Sequence, residues 1–390
     1  IGQTTPPTGP NELVVASFER VTQAVHELQI QTWMILYGLL KEGIAQNSES
    51  FPTPVEDRFD FLRCLHRNLG LRGICDGLNR KFVRMVKDEF FQMTHVEGYD
   101  QEQAQVLYDL YGLNCFMNPS YELIEHRCTP DAFLDKSVAL QAVDLLLLQA
   151  KKLPIKDLVK HSLKDTIDKV HGALSRKKPT EAILHNREVY RTHLRSPIKP
   201  TELFNCLNGD GVELMIKPVP ESDALLASKG WYFLMGHIAL TRFRTTKKPG
   251  GSPQEDVDIA IAFFMQDLEY SMENWQTWFR LAQAYDTKID EALMWSADKM
   301  NNEMSTLVQF QRAAIHCYSM ATSLAKQSAD GTSETVEKLT DLHHDFAMRI
   351  YNSSREPLSM RAFAVEETNR FLSTESGVIR GGSYKPLRVF

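Results

Sequence analysis

The sequence predicts an all-α protein built of antiparallel helix pairs, and three observations carry that expectation. Apolar residues recur at helical spacing from one end of the 390-residue chain to the other. Strand-like alternation is nearly absent. Only Val212–Val219 (VELMIKPV) qualifies, and Pro218 and Pro220 argue against a central strand there. The third observation is Trp278–Tyr285, WFRLAQAY, which places Trp, Leu, Ala and Tyr at i, i+3, i+4 and i+7. These positions share one helix face. The spacing is that of the first helix of a tetratricopeptide repeat. Ala314, Tyr318 and Ala321 supply the small and aromatic residues expected of its mate. The predicted architecture is therefore a tetratricopeptide-like solenoid.

The elements follow in order. Asn11, after Pro10, is placed to cap a helix running toward Ile44, with Val14, Phe18, Val21, Val25 and Leu28 on one face. Gly38 and Gly43 weaken its last turns. Further helices are expected at 55–69, 74–93, 100–116, 131–152, 155–174, 180–195, 222–245, 255–274, 275–300, 305–327, 334–351 and 357–373. An earlier repeat copy opens at Trp231 and Leu234, and its mate carries Ala260 and Phe264. Its helix pair is over-spaced against a repeat of about 34 residues, and the excess falls on Lys247–Gln254 (KKPGGSPQ), which has loop composition. The Pro- and Gly-rich stretches at Leu194–Pro200 and Asp210–Ser222 mark breaks. The expected organisation is a linker at 1–10, a helical block at 11–195, a linker at 196–221, the repeats at 222–373 and a flexible tail at 374–390. Ile1 and the linker-like start suggest a piece of a larger protein.

Composition suits a chain with a sizeable core: 43% apolar residues and a mean hydropathy of −0.30. Apolar runs such as Leu145–Leu148 are far too short to span a bilayer, so no membrane role is expected. Charge is uneven. Residues 151–199 hold thirteen Lys/Arg against five Asp/Glu; 88–135 hold one Arg against ten acids; 255–310 hold three against eleven. Such blocks either steer charged partners or answer one another within the chain. Arg176, Lys177 and Lys178, in SRKKP, form the densest basic patch. Tyr190 is the only aromatic residue in that block, too few for a base-stacking surface.

No enzyme constellation is found. Gly70–Gly77 (GLRGICDG) lacks a phosphate-loop pattern, and neither GxSxG nor HExxH occurs. His343 and His344 are adjacent, so they point about 100° apart on a helix and do not share a metal. The six cysteines are scattered and contain no CxxC. Cys64/His66 and His126/Cys128 are separated by one residue, whereas structural zinc ligands usually have two to four between them. No catalytic residue, cofactor or metal is expected. An interaction scaffold remains, with Gln276, Phe279, Gln283 and Asp286 as the stripe beside the buried one, facing a groove with Phe279 as anchor.

Trp275–Asn302 (WQTWFRLAQAYDTKIDEALMWSADKMNN) and Gln311–Ala321 (QRAAIHCYSMA) resemble the large helical-repeat subunit of the HIR histone-chaperone complex. That subunit is the third histone transcription regulator of fungi, and its vertebrate counterpart is the calcineurin-binding protein cabin. Tyr108–Cys115 (YDLYGLNC) and Glu356–Phe363 (EPLSMRAF) also resemble it, and WSADKMNN is the most specific string. The resemblance implies a nuclear, non-enzymatic scaffold in replication-independent nucleosome assembly and transcriptional regulation. It implies WD-repeat subunits of the complex as partners, with histones as a further partner. Two other readings stand beside it: a basic helical module that contacts DNA directly, and a peptide-binding tetratricopeptide adaptor, whose groove usually needs the Lys and Arg that Gln276, Gln283 and Asp286 do not supply.

Overall fold

The computed structural model describes residues 10–93, 98–117, 123, 126, 128–174, 178–245, 254–294, 296–328, 330–363, 371–374 and 377–380. The chain divides into two compact units, Ile1–Arg176 and Lys177–Phe390. Among the described residues both are helical apart from one terminal hairpin, so the all-α expectation holds.

In the first unit, α1 spans Pro10–Gln46, running through Gly38 and Gly43 to its end. At about 1.5 Å per residue it is some 55 Å long. Only its second half is packed. Ile30 and Tyr37 are buried, and the Tyr37 and Trp33 rings lie on Phe61 at 6.0 and 6.4 Å. α2 (Pro54–Leu71) starts with Pro at a first-turn position and with Glu56 and Asp57 beside the orphan N–H groups. α3 (Lys81–Phe90) and α4 (Tyr99–Tyr111) bring Phe82, Val86, Phe90, Val106, Leu107 and Leu110 to one core with Phe59 and Leu62 of α2. The helix expected over 74–93 is shorter. Leu78, Asn79 and Arg80 all take positive φ and delay the start to Lys81. The Arg80 guanidinium anchors this turn, donating to the Thr129 carbonyl at 2.7 Å and pairing with Asp131. α5 (Lys136–Ala150) begins where the Asp135 carboxylate accepts the Val138 N–H. The helix expected at 155–174 is two, α6 (Ile155–Leu158) and α7 (Ser162–Ala173), because the His161 ring caps the second.

In the second unit, α8 spans Glu181–Arg195, α9 Pro200–Asn208, α10 Glu221–Ser228, α11 Trp231–Thr245, α12 Gln254–Tyr270, α13 Trp275–Ala292, α14 Ala297–Asn302, α15 Met304–Ser328 and α16 Ser333–Ser353. The expected break at 194–200 falls inside this unit. Tyr190 of α8 stands edge-on to Trp278 of α13 at 5.6 Å, so α8 belongs to the second core. The expected linker 196–221 holds α9, with Cys206 buried. The rest of that linker is extended without being a strand. Asn186 pins it, exchanging hydrogen bonds with the Lys217 N–H and C=O. Gly230, at φ +81°, separates α10 from α11, and the Ser296 cap separates α14 from α13.

The repeat pairing is visible in the contacts. Tyr232 stacks on Tyr270, Phe233 meets Phe264 and Arg242 pairs with Asp256, so α11 and α12 run antiparallel. Phe279 meets Tyr318 and Tyr285 meets Phe310, so α13 and α15 do too. Trp231, Ala260, Phe264, Trp278, Leu281, Ala282, Ala314, Tyr318 and Ala321 are all fully buried, as their positions in the repeat pattern require. A Cβ on Gly236 would strike the Phe264 ring, so glycine permits the close α11–α12 approach. The α11–α12 connection, where the inserted residues were placed, lies outside the described residues. The helix expected at 357–373 is absent from its described part: Pro357–Phe363 are turns and bends, with Ser359 and Met360 at positive φ. Phe371–Thr374 (β1) and Gly377–Arg380 (β2) pair as an antiparallel hairpin, β1 lying mostly where the last helix was expected to end and β2 in the expected tail.

Candidate functional site

The stripe assigned to an open groove is not open. Phe279 is 2% exposed, against the Tyr318 ring and beneath the Arg280 guanidinium. Gln283 donates to Asp345 of α16 at 2.8 Å. Asp286 accepts from Tyr318 Oη and from Arg349 Nε of α16, both at 2.6 Å. Gln276 is half-buried. α16 lies over this face, with Phe346 stacked on Tyr318, so α13 is buried on both stripes. Burial pushes the Asp286 carboxyl up to about 6, although Arg349 and Tyr318 pull it down. In the basic patch, Arg176 and Lys177 lie outside the described residues, and Lys178 is exposed.

Among the described residues the charge blocks are answered in part from within. In the first acidic segment, Glu89 takes Lys41 at 2.7 Å, Arg58 and the Tyr37 hydroxyl, Asp88 takes Lys87, and Asp131 takes Arg80. In the second, Asp256 takes Arg242, Asp258 takes Lys288 and Glu269 takes Arg187. Among the described residues of the basic block, Arg187 forms an ion pair with an acidic segment, and Lys169 donates to the Tyr111 carbonyl of the other. Lys151, Lys156 and Lys160 stay exposed, with no ion pair among the described residues.

Two features stand out instead. The first is the bare face of α1. Val14, Phe18, Val21, Val25, Leu28, Thr32, Ile35 and Leu39 follow one another at spacings of four and three, which is a heptad-like seam. Its apolar members are between 57% and 74% exposed. The first five of these residues were expected on one helix face; that this face has no cover among the described residues is new. A cleft of about 730 Å³ adjoins the seam, lined by Val14, Val15 and Phe18 of α1 and by Gly77 and Leu78 of the turn before α3.

The second is a buried polar cluster. His66 (α2), Cys75 (the turn after α2), Asp109 (α4) and His126 are all buried, and one ligand-type atom from each lies within 4.8 Å of the others. Asp109 Oδ2 sits 3.0 Å from His66 Nε2 and 2.8 Å from His126 Nδ1. Asp109 Oδ1 accepts from Gln105 at 3.0 Å, which fixes the carboxylate plane. Gly70 makes room for the His126 ring, since any Cβ there would overlap it. Burial opposes a charge on His66, but Asp109 and Glu102 hold its imidazolium up to about 9. Burial likewise opposes a charge on Asp109, and the two histidines hold its carboxyl below the ordinary range. The Cys128 sulfur and burial push the Cys75 thiol well up. The sequence pairs Cys64/His66 and His126/Cys128 each contributed one histidine to this cluster. Local spacing missed it because the donors come from separate elements.

These features define a class: an all-α chain with a helical core in each unit and, among the described residues, one uncovered helix face. The family can be named. The family model of the HIR3 helical bundle domain matches residues 153–390, and that of the Histone transcription regulator 3 helical domain matches 1–132. The chain belongs to the Histone transcription regulator 3 family. It is 43% identical to the Histone transcription regulator 3 homolog of Aspergillus fumigatus over its whole length and 42% identical to that of Aspergillus oryzae over 96% of it. The corresponding protein of Candida albicans is 23% identical over 84% of the chain. The chain spans 19% of the A. fumigatus protein and 18% of the A. oryzae protein. The first-unit helices α6 and α7 fall within the stretch matched to the second domain. No helix of the described residues is long and apolar enough to cross a membrane.

Proposed function

We propose that this chain is a non-enzymatic helical scaffold segment of a nuclear histone-regulating assembly, and that α1 is where it takes hold of another subunit. The carrying observation is the α1 seam, seven large apolar side chains more than half exposed along one heptad line. Membership of the Histone transcription regulator 3 family supports the histone and transcription context. Within such an assembly the partners are WD-repeat subunits, with histones handled by the complex as a whole. Direct capture of histones by the two acidic segments loses part of its support, because some of their carboxylates, Glu89, Asp256, Asp258 and Glu269 among them, are paired inside the chain.

The test is an affinity capture from nuclear extract with the chain and with a Val21→Glu/Val25→Glu variant, read by mass spectrometry. Chromatin-assembly subunits should come down with the parent chain and be depleted at least tenfold with the variant. Equal capture by both would remove α1 from the contact. The competing reading, a DNA-binding module, rests on the exposed Lys151, Lys156 and Lys160. It predicts duplex binding tighter than about 10⁻⁶ M at physiological salt, beyond what non-specific phosphate contacts usually give. The scaffold reading predicts weaker binding.

A further inference from the structure

We propose that His66, Cys75, Asp109 and His126 form a structural zinc site that ties the turn after α2 and His126 to helices α2 and α4. The donors are two imidazole nitrogens, one sulfur and one carboxylate oxygen, the mixed N/S/O set that suits zinc. Four donors complete a closed tetrahedral site with no position left for substrate. Zinc–nitrogen bonds of about 2.0 Å and zinc–sulfur bonds of about 2.3 Å place tetrahedral donors roughly 3.3–3.5 Å apart. The observed distances from Asp109 to the two rings, 3.0 and 2.8 Å, are a few tenths of an ångström shorter, and the four donor atoms lie within 4.8 Å of one another. An ion would push the carboxylate out and draw the widest-spaced donors in.

A second observation separates this from a hydrogen-bonded His–Asp–His triad. His66 is 0% exposed, and neither ring nitrogen makes an aligned hydrogen bond. Nε2 is close to Asp109 Oδ2 but off the line an N–H···O bond requires. Leaving a buried polar atom unpaired costs about 1–3 kcal/mol, and a metal on Nε2 removes that cost. Nδ1 is then free to carry its proton toward Glu102, whose carboxylate is 4.0 Å away. Gln105 holds Asp109 from behind, the outer hydrogen bond that metal-ligating carboxylates usually have. The Cys128 sulfur contacts Cys75 and, with burial, keeps its thiol protonated, so the ion must displace that proton. Metal binding displaces the Cys75 thiol proton and any proton on His66, so affinity falls as pH is lowered.

The geometry also gives the site a task. Cys75 sits three residues before Leu78, and Leu78–Arg80 is the left-handed turn that leads into α3, its Leu78 and Asn79 walling the cleft beside α1. His126 is the other donor that lies outside α2 and α4. A single ion fastens both to the core.

The chain should be produced with zinc in the medium, dialysed against metal-free buffer and assayed for bound metal by elemental analysis. About one zinc per chain is expected. Cobalt exchanged into the chain should show tetrahedral visible absorption with a thiolate charge-transfer band. Cys75→Ser should abolish that band, and Gln105→Leu should weaken zinc about 10- to 100-fold. Far-ultraviolet circular dichroism establishes that each variant is folded. Should a variant fail to fold, zinc titration of the parent chain against a chromophoric chelator still decides the matter. The proposal is overturned if the folded parent chain retains no zinc and takes up none at micromolar concentration. It is equally overturned if folded Cys75→Ser gives the same cobalt spectrum as the parent.

Discussion

The two units treat buried acid groups in opposite ways. In the first, Glu89 is surrounded by Lys41, Arg58 and the Tyr37 hydroxyl. Burial alone would raise its carboxyl, but these three partners hold it below the ordinary value. In the second, Asp267 has only the Thr277 hydroxyl, at 2.7 Å, and a backbone N–H, so burial prevails and lifts it to about 6. Asp286 is also lifted to about 6 despite Arg349. A carboxylate given cations stabilises the ionised state. A carboxylate given hydroxyls in an apolar core is strained by its own charge. Glu89 and Asp267 should therefore contribute to stability with opposite pH dependence, and each can be perturbed separately.

The largest expected effect concerns the second core. Trp278 is fully buried, packed edge-on to Tyr190, with its indole N–H on the Met272 carbonyl at 2.9 Å. Trp278→Ala should destabilise the second unit by about 3–5 kcal/mol in urea unfolding. A loss under about 1 kcal/mol, the behaviour of a surface site, would mean that Trp278 does not organise that core.

This residue also shows how far the sequence could be read. The stripe Trp278–Leu281–Ala282–Tyr285 was legible because one helix period fixes one face. The burial of the next stripe was not, because its cover, α16, lies in a separate helix that begins at Ser333. α9 was hidden differently. Lys199–Gly209 (KPTELFNCLNG) carries Pro at the first turn and Gly just past the end, which are helix boundary signals. Its Pro- and Gly-rich flanks made the whole stretch read as a linker. The polar cluster was illegible for a third reason. His66 and His126 lie far apart in the chain, and only the packing of the first unit brings them to one carboxylate.

The second expected effect tests the pH contrast directly. Asp267 titrates near 6 in the folded chain against about 3.8 unfolded. Between these values the folded state binds more protons, so stability falls as pH rises. The term is fully present below about pH 4 and lost above about 6, a span on the order of 2–3 kcal/mol. Asp267→Asn keeps an acceptor for Thr277 and removes the charge. Its unfolding free energy should exceed that of the parent at pH 8 and match it near pH 4. Tryptophan fluorescence can follow this unit, since Trp33 is the one tryptophan of the first unit. Parallel pH profiles for the two chains would contradict the assignment.

The third is the mirror experiment. Glu89→Gln removes the carboxylate from Lys41 and Arg58. Both cations keep solvent contact, at 43% and 23% side-chain exposure. The loss should be about 1–2 kcal/mol at pH 7, short of the cost of a fully buried pair. The folded carboxyl is depressed, so its contribution is present above the unfolded value and disappears as pH falls through the folded one. The difference between Glu89→Gln and the parent should shrink on acidification below about pH 4, where Asp267→Asn has also lost its advantage. A difference that stayed constant with pH would mean that the side-chain shape matters and the charge does not.

The smallest effect on stability belongs to α1, and it sharpens the comparison by showing which apolar surface is not core. Val21 and Val25 are 63% and 57% exposed on a helix whose packed residues are Ile30 and Tyr37. Replacing both with glutamate removes no buried contact. It exchanges two β-branched residues for better helix formers, a gain of a few tenths of a kcal/mol at most. The two introduced carboxylates would stand one helical turn apart, and like charges at that spacing return a similar amount. The isolated double variant should therefore unfold within about 0.5 kcal/mol of the parent, whereas the same change at Leu62 or Phe82 would destroy the first core. Calorimetry of the isolated chain decides it. A loss of several kcal/mol would show that this face is already covered within the chain, and the partner assigned to it would have no surface to bind.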